Sequence, residues 1–190
     1  MTRRLADARA LHALIVRLAA QISRHNHGVK DLALIGIKRR GVPLAERLAA
    51  RLNSGRRAKV PVGAIDITLY RDDLQMVAET PIVRGTEIEF DINGKTLVLV
   101  DDVVFTGRTI RAALSELLDF GRPKAIQLAV LVDRGLRELP IQPDFAGRTV
   151  VTRPGDLVDI FLKETDGRDE IVLTRTGQSQ RSRAKGQKPK

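Results

Sequence analysis

The architecture of this 190-residue chain is written most plainly in Leu97-Val98-Leu99-Val100-Asp101-Asp102-Val103-Val104-Phe105-Thr106-Gly107-Arg108-Thr109. Its first four residues are all apolar, with no alternate wet position, as in a strand covered on both faces. Two adjacent carboxylates follow, then a short loop in which Thr106, Gly107 and Thr109 open a helix expected to run from about Thr109 to Asp119. N–H groups at a helix start point outward with partial positive charge, and Gly107 lets the backbone come close, so the loop suits a phosphate group. The Thr hydroxyls add donors. Ligands of open α/β sheets bind outside the carboxyl ends of the strands, which is where Asp101 and Asp102 stand. Paired there beside a phosphate cradle, they suit either the vicinal hydroxyls of a sugar or a hydrated Mg²⁺.

On either side of this stretch the periodicity alternates. Leu11, Leu14, Ile15, Leu18, Ala19 and Ile22 recur at spacings of three and four, which predicts a helix. Leu32 to Ile37 reads as a buried strand running into the basic turn Lys38-Arg39-Arg40-Gly41. Pro43 then fits the first turn of a helix whose buried stripe is Leu44, Leu48 and Leu52. Ile65, Ile67 and Leu69 alternate with polar residues, predicting a strand with one wet face. Residues 71–86 have no clear period and read as a long surface loop, a class that often supplies lids and binding loops. Asp91-Ile92-Asn93-Gly94 is a turn signal of the hairpin type. Ala125 to Val132 is a further buried strand, with weaker strand signals at 149–151, 158–162 and 171–174. Strand and helix alternating in this way predict an α/β fold with a central, mainly parallel β-sheet flanked by helices on both faces.

Composition narrows the function classes. The chain is 43% apolar, enough for the core of one domain, and lacks cysteine, which excludes disulfides, thiolate metal sites and a cysteine nucleophile. No apolar run is long enough to span a bilayer and no signal-peptide core is present, so a soluble cytoplasmic protein without a membrane partner is expected. The formal net charge of +10 predicts affinity for polyanions. Six of those charges fall in residues 175–190, which hold no acid, leaving +4 for the rest. The expected organisation is one domain over 1–174 and a basic, disordered tail over 175–190.

Four apolar residues, two acids, two variable positions and Thr-Gly-x-Thr closely resemble the signature of type I phosphoribosyltransferases. Further segments narrow the likeness: Gly36-Ile37-Lys38-Arg39-Arg40-Gly41-Val42-Pro43-Leu44-Ala45, Asp66 through Leu74 (including Tyr70-Arg71-Asp72-Asp73), and Gln127 through Gly135 continuing into Arg137-Glu138-Leu139-Pro140-Ile141. Together they resemble the PyrR family, which joins pyrimidine-operon regulation to uracil phosphoribosyltransferase activity, and the likeness runs from about Leu5 to Thr174.

That resemblance implies a type I phosphoribosyltransferase fold with a small hood and a flexible lid loop. It assigns binding of 5-phosphoribosyl 1-diphosphate (PRPP) to Lys38, Arg39, Arg40 and Gly41, a loop that in related enzymes often contains a non-proline cis peptide. The same role falls to Val103, Val104, Phe105, Thr106, Gly107, Arg108 and Thr109. Asp101, Asp102, Arg71 and Asp133 take catalytic roles, with Arg71 as the lid cation reaching the diphosphate. Val132, Asp133 and Arg134 form the uracil-binding segment. Mg²⁺ is the implied cofactor, carried by PRPP and held through water by Asp101, Asp102 or Asp133. The implied reaction converts uracil and PRPP to UMP and diphosphate, by attack of uracil N1 on C1′ with inversion. No residue in the sequence must serve as a general base; His12, His25 and His27 read as surface residues.

The second implied activity is binding to the leader of pyrimidine-operon mRNA, with UMP or UTP in the same pocket as effector, causing attenuation or translational repression. Residues 1–30 hold six Lys or Arg against one Asp, so a basic face near the first helix is expected. Arg17 and Arg153 match basic positions of the family's RNA face. Val16 stands beside Arg17 where the family commonly has Thr, which removes one hydroxyl. Aromatic residues make up only 3%, which disfavours a base-stacking RNA platform. A homodimer or larger homo-oligomer is also implied. The alternative is a salvage uracil phosphoribosyltransferase without RNA regulation; a DNA-binding purine-operon regulator is disfavoured because no winged-helix segment precedes the domain.

Overall fold

The computed structural model describes residues 1–55, 57, 59–67 and 85–175. Its core is a five-stranded parallel sheet in the order β3 (Val62–Ile65), β2 (Leu32–Ile37), β4 (Thr96–Val104), β5 (Ala125–Asp133), β6 (Phe145–Thr149). The expected mainly parallel α/β sheet is therefore present, and β4 lies at its centre. Alternation along β4 divides the core in two. Val98 and Val100 pack with α1 (Ala8–His25) and α2 (Gly41–Asn53), through Leu11, Ile15, Leu18, Leu44 and Leu48. Leu97 and Leu99 face the other way, onto α3 (Arg108–Asp119) through Ile110, Ala113 and Leu117. Each fully buried Leu of this kind contributes about 1.5–3 kcal/mol of apolar burial. Asp7 caps α1, its carboxylate accepting from the Ala10 N–H at 2.9 Å.

A second sheet is antiparallel and smaller: β1 (Thr2–Ala6), β8 (Glu170–Thr174) and β7 (Leu157–Phe161), in the order β1-β8-β7, with the short helix α4 (Lys163–Asp166) between its last two strands. This is the expected hood. It is built from both ends of the described chain, because Met1 and Arg175 exchange N–H and C=O bonds of 3.0 and 2.9 Å. Ile160, Leu162 and Ile171 continue the core that lies under α1 and α2.

Several local expectations need correction. The polar run Thr2-Arg3-Arg4 concealed β1, whose stability comes from its ladder with β8 rather than from its mostly exposed side chains. β3 ends at Ile65, and Gly63, Ala64 and Ile65 are all buried instead of alternating. Residues 68–70, where the wet-faced strand was expected to continue, lie outside the described residues. The Asp91–Gly94 turn exists but joins no hairpin: it leads into β4, which pairs in parallel with β2 and β5. The weak strand expected at 149–151 sits earlier, at Phe145–Thr149. Arg71 and nearly all of the expected lid loop fall outside the described residues, as does the tail from residue 176 onward.

Candidate active site

β4 carries the apolar run into the two carboxylates, and its burial controls their chemistry. Asp101 is 7% exposed. Burial, reinforced by the like charge of Asp102, pushes its carboxyl well above the usual range. Asp102 is also pushed up, again by burial first, although the Val103 N–H and the positive charge of Arg40 oppose the shift. Asp101 Oδ1 accepts the Asp102 N–H at 2.9 Å and Asp102 Oδ1 the Val103 N–H at 2.7 Å, so both side chains are oriented by β4 itself. A carboxylate pair poor in solvent, whose like charges repel, is suited to hydroxyl groups or to a cation that would relieve the repulsion.

The basic turn after β2 is pressed against the same strand end. A Cβ on Gly41 would lie 2.3 Å from the Val100 carbonyl oxygen, so only glycine allows this approach. The Lys38–Arg39 peptide is cis, as the resemblance implied. Two of the three cations are engaged by protein carboxylates. Lys38 Nζ meets Glu87 Oε1 at 2.9 Å, and Arg40 forms a two-pronged pair with Asp166 on α4, at 2.9 and 3.1 Å. Arg39 is exposed.

Beyond the carboxylates, Val103 pairs with Val132 and Val104 with Asp133, so the start of the expected phosphate loop adjoins the expected base-binding segment. Val104 and Val132 are buried in the core, while Phe105, Arg108 and Thr109 are exposed. Gly107 caps α3 in the left-handed region at φ 93°, and Thr106 Oγ1 accepts the Arg108 N–H at 3.3 Å. Asp133 Oδ1 accepts the Gly135 N–H at 2.9 Å and meets Arg137 Nη2 at 2.8 Å. The Arg134 guanidinium lies 4.1 Å from the Phe105 ring centroid and donates to the Asp156 carbonyl at 2.6 Å. Burial lowers its pKa.

β4 and its neighbours therefore bring together Asp101, Asp102, the Lys38–Gly41 turn, the 103–109 loop and the 132–134 segment. Arg17 and Arg153 lie elsewhere. Arg17, on α1, donates to the Gly147 carbonyl of β6, and Arg153 is exposed in the turn before β7. The three histidines are exposed, as expected. Sequence reasoning gave no role to Arg137 or Asp166, whose significance comes from partners 32 and 126 positions away.

A family profile described as the phosphoribosyl transferase domain matches residues 1–156. A protein of Roseiflexus sp. named Bifunctional protein PyrR is 54% identical over 175 residues, covering 92% of this chain and 96% of that protein. A protein of the same name from Pelotomaculum thermopropionicum is 51% identical, covering 90% and 95%. The chain belongs to the PyrR family. Family membership favours the two-activity reading over salvage alone, because these relatives are bifunctional by name. Among solved structures, hypoxanthine phosphoribosyltransferase of Trypanosoma cruzi superposes with a TM-score of 0.70 at 22% identity, covering 90% of this chain and 94% of that one. A hypoxanthine-guanine phosphoribosyltransferase of Bacillus anthracis gives 0.67 at 16%, covering 91% and 97%. These likenesses establish the shared fold.

Phosphoribosyltransferases generally use Mg²⁺ with PRPP, and the residues of this PyrR-family site fit a cation of one particular kind. Among the described residues, no three His, Cys, Asp or Glu side chains converge into a metal cage. Asp101 and Asp102 offer hard oxygen donors whose mutual repulsion a divalent cation would relieve. Such a donor set suits a hydrated divalent ion.

Proposed function

We propose that this protein transfers the phosphoribosyl group of PRPP to uracil, giving UMP and diphosphate, and that the same pocket senses UMP or UTP to control binding to pyrimidine-operon leader RNA. The observation that carries the reading is the junction of β4 and α3. There the buried Asp101 and half-buried Asp102 run directly into a Gly107-capped loop, with Gly41 of the basic turn packed against Val100. In this reading Asp101 and Asp102 orient the ribose hydroxyls or the hydrated cation. The backbone around Phe105–Thr109 holds a phosphate at the start of α3. Arg39, with Lys38 and Arg40 beside it, faces the diphosphate, and Arg71 reaches it from the lid. Backbone groups of Val132–Arg134 hold the base.

As uracil N1 bonds to C1′, the bond from C1′ to the diphosphate oxygen breaks and the configuration inverts. The proton of N1 is lost to solvent or to the departing diphosphate. Mg²⁺ supplies neutralisation of the charge that develops on the leaving group. A lid over the site, the role the resemblance gives to residues 71–86, would keep water from the oxocarbenium-like centre and favour transfer over hydrolysis.

For regulation, Arg17 and Arg153 contact RNA phosphates or bases, and the nucleotide in the pocket sets their affinity. A homo-oligomeric, cytoplasmic protein with a catalytic domain over 1–174 and a separate basic tail completes the proposal. The described helices include none long and apolar enough to cross a membrane. The test is to supply uracil, PRPP and Mg²⁺ and assay UMP, and in parallel to titrate leader RNA with and without UMP. UMP formation together with tighter RNA binding in the presence of UMP is expected. UMP formation with RNA binding absent at every nucleotide concentration would leave the salvage enzyme.

A further inference from the structure

Two consecutive peptide groups of the phosphate loop have their carbonyl oxygens held by one neighbouring segment. The Phe105 oxygen accepts from Arg137 Nη1 at 3.0 Å. The Thr106 oxygen accepts from the backbone N–H groups of Glu138 and Leu139, both at 3.0 Å. Both peptides are trans, so each N–H lies in the plane of its C=O and points the opposite way. Fixing the two oxygens on the 137–139 side therefore aims the N–H groups of Thr106 and Gly107 away from that segment.

Arg137 is itself tightly held, with only 11% of its side chain exposed. Its Nε donates to the Ile141 carbonyl at 2.8 Å, Nη1 also reaches the Gly135 carbonyl at 3.3 Å, and Nη2 meets Asp133 Oδ1 at 2.8 Å. A single guanidinium thus joins the phosphate loop to the turn that follows β5. The Arg134 guanidinium against the Phe105 ring limits rotation of the same residue from its other end.

We infer that Arg137 is a positioning residue. With the N–H groups of Glu138 and Leu139, it pre-orients the Thr106 and Gly107 N–H groups toward a phosphate of the sugar substrate. This rests on the reading of residues 103–109 as the phosphate cradle. Donors fixed before the ligand arrives need not be ordered at its expense, so the benefit appears as phosphate affinity. Lysine in place of Arg137 carries the charge but lacks the planar fork that meets Phe105, Asp133 and Ile141 together.

The experiment compares the full-length protein with Arg137→Ala and Arg137→Lys, following thermal midpoints, steady-state kinetics and calorimetric binding of ribose 5-phosphate. The expected result is a KM for PRPP at least tenfold higher in Arg137→Ala. The KM for uracil at saturating PRPP should stay within threefold, and Arg137→Lys should fall between. Ribose 5-phosphate should bind at least tenfold more weakly to Arg137→Ala. If Arg137 served only to hold the fold together, kcat per mole of protein would fall with the thermal midpoint while the KM for PRPP stayed at its wild-type value; that outcome overturns the inference. Should Arg137→Ala fail to fold, the same comparison is decided by Arg137→Lys, with a threefold rise in the PRPP KM as the criterion. Wild-type protein that forms no UMP would overturn the enzymatic reading instead, and ribose 5-phosphate binding would still decide the role of Arg137.

Discussion

Arg40 and Asp166 form a two-pronged ion pair, Nε to Oδ2 at 3.1 Å and Nη2 to Oδ1 at 2.9 Å, that ties the basic turn after β2 to helix α4 of the hood. The turn therefore does two jobs: its backbone packs on the end of β4, and one of its cations docks the hood over the sheet. Seven residues further along, Arg47 repeats the tie, meeting Glu164 at 2.6 Å and Asp169 at 2.8 Å. Hood and sheet are held by these charges in addition to the apolar core that they share.

The ties predict acid sensitivity. The Arg40 hydrogen bond holds the Asp166 carboxyl below its ordinary range, and Arg47 does the same for Glu164. Burial alone would raise Asp169, but Arg47 and the Lys163 N–H outweigh it. Carboxyls lowered in the folded state bind fewer protons there than in the unfolded chain. The stability they confer is complete above about pH 4–5 and is lost as pH falls toward their lowered values. Arg47→Ala should lower stability at pH 7 by about 1–2 kcal/mol, between exposed and buried pair values. It should also flatten the decline of thermal midpoint below pH 4.5. A variant with an unchanged midpoint and an unchanged acid limb would show that these pairs do not dock the hood.

The opposite sign applies to the carboxylate pair in the site. Asp101 and Asp102 are raised, so the folded state binds more protons than the unfolded chain, and their contribution falls as pH rises from about 4 through the raised values. Asp101→Asn should therefore raise the thermal midpoint at pH 7–8 by about 2–4 °C, the shift that ~1 kcal/mol gives a chain of this size. The gain should vanish near pH 4. Transfer should drop by at least a hundredfold in Asp101→Asn and in Asp102→Asn, measured at limiting PRPP. Near-normal turnover in both variants would remove these residues from the site.

Legibility followed the range of the interactions involved. β4, its carboxylates and the Gly107 cap were readable because strand, acids and helix start are contiguous, and each carries its own local signal. The α1 and α2 stripes were readable for the same reason. β1 was hidden, because Thr2-Arg3-Arg4-Leu5 has no apolar pattern and is held by backbone pairing with a strand near residue 172. The Arg40–Asp166 tie was equally hidden: the sequence offers a basic turn suited to diphosphate, and only the folded chain brings an acid from 126 positions away to one of its cations. Arg137 stood inside a recognised motif, but its meaning depends on the Phe105 carbonyl.

Charge reversal at Arg17 and Arg153 should weaken leader-RNA binding by at least tenfold and leave UMP formation within twofold. The Arg17 side chain is engaged on the Gly147 carbonyl, so its loss also frees an acceptor on β6. Thermal midpoints of the double variant must accompany the binding curves. Linkage further requires that RNA tighten UMP binding by the same factor by which UMP tightens RNA binding, which reciprocal titrations measure. Normal RNA binding by a folded double variant would place the RNA surface elsewhere.

Removing residues 176–190 spares Arg175, whose N–H bonds the Met1 carbonyl. UMP formation should be unchanged. Nonspecific RNA affinity should fall, and the salt dependence of that affinity should become shallower, because five Lys or Arg are lost with the segment. A large loss of transfer activity would make the segment part of the catalytic unit.

The central claim is that the pocket at the end of β4 moves a phosphoribosyl group specifically to uracil, on a fold shared with enzymes named for hypoxanthine and guanine. The most direct measurement offers the protein PRPP and Mg²⁺ with equal concentrations of uracil, hypoxanthine and guanine, and quantifies each nucleotide and the diphosphate released. UMP formed in equal amount to diphosphate, with the purine nucleotides at least a hundredfold slower, is the predicted result. IMP or GMP as the main product, or no nucleotide at all, would contradict it.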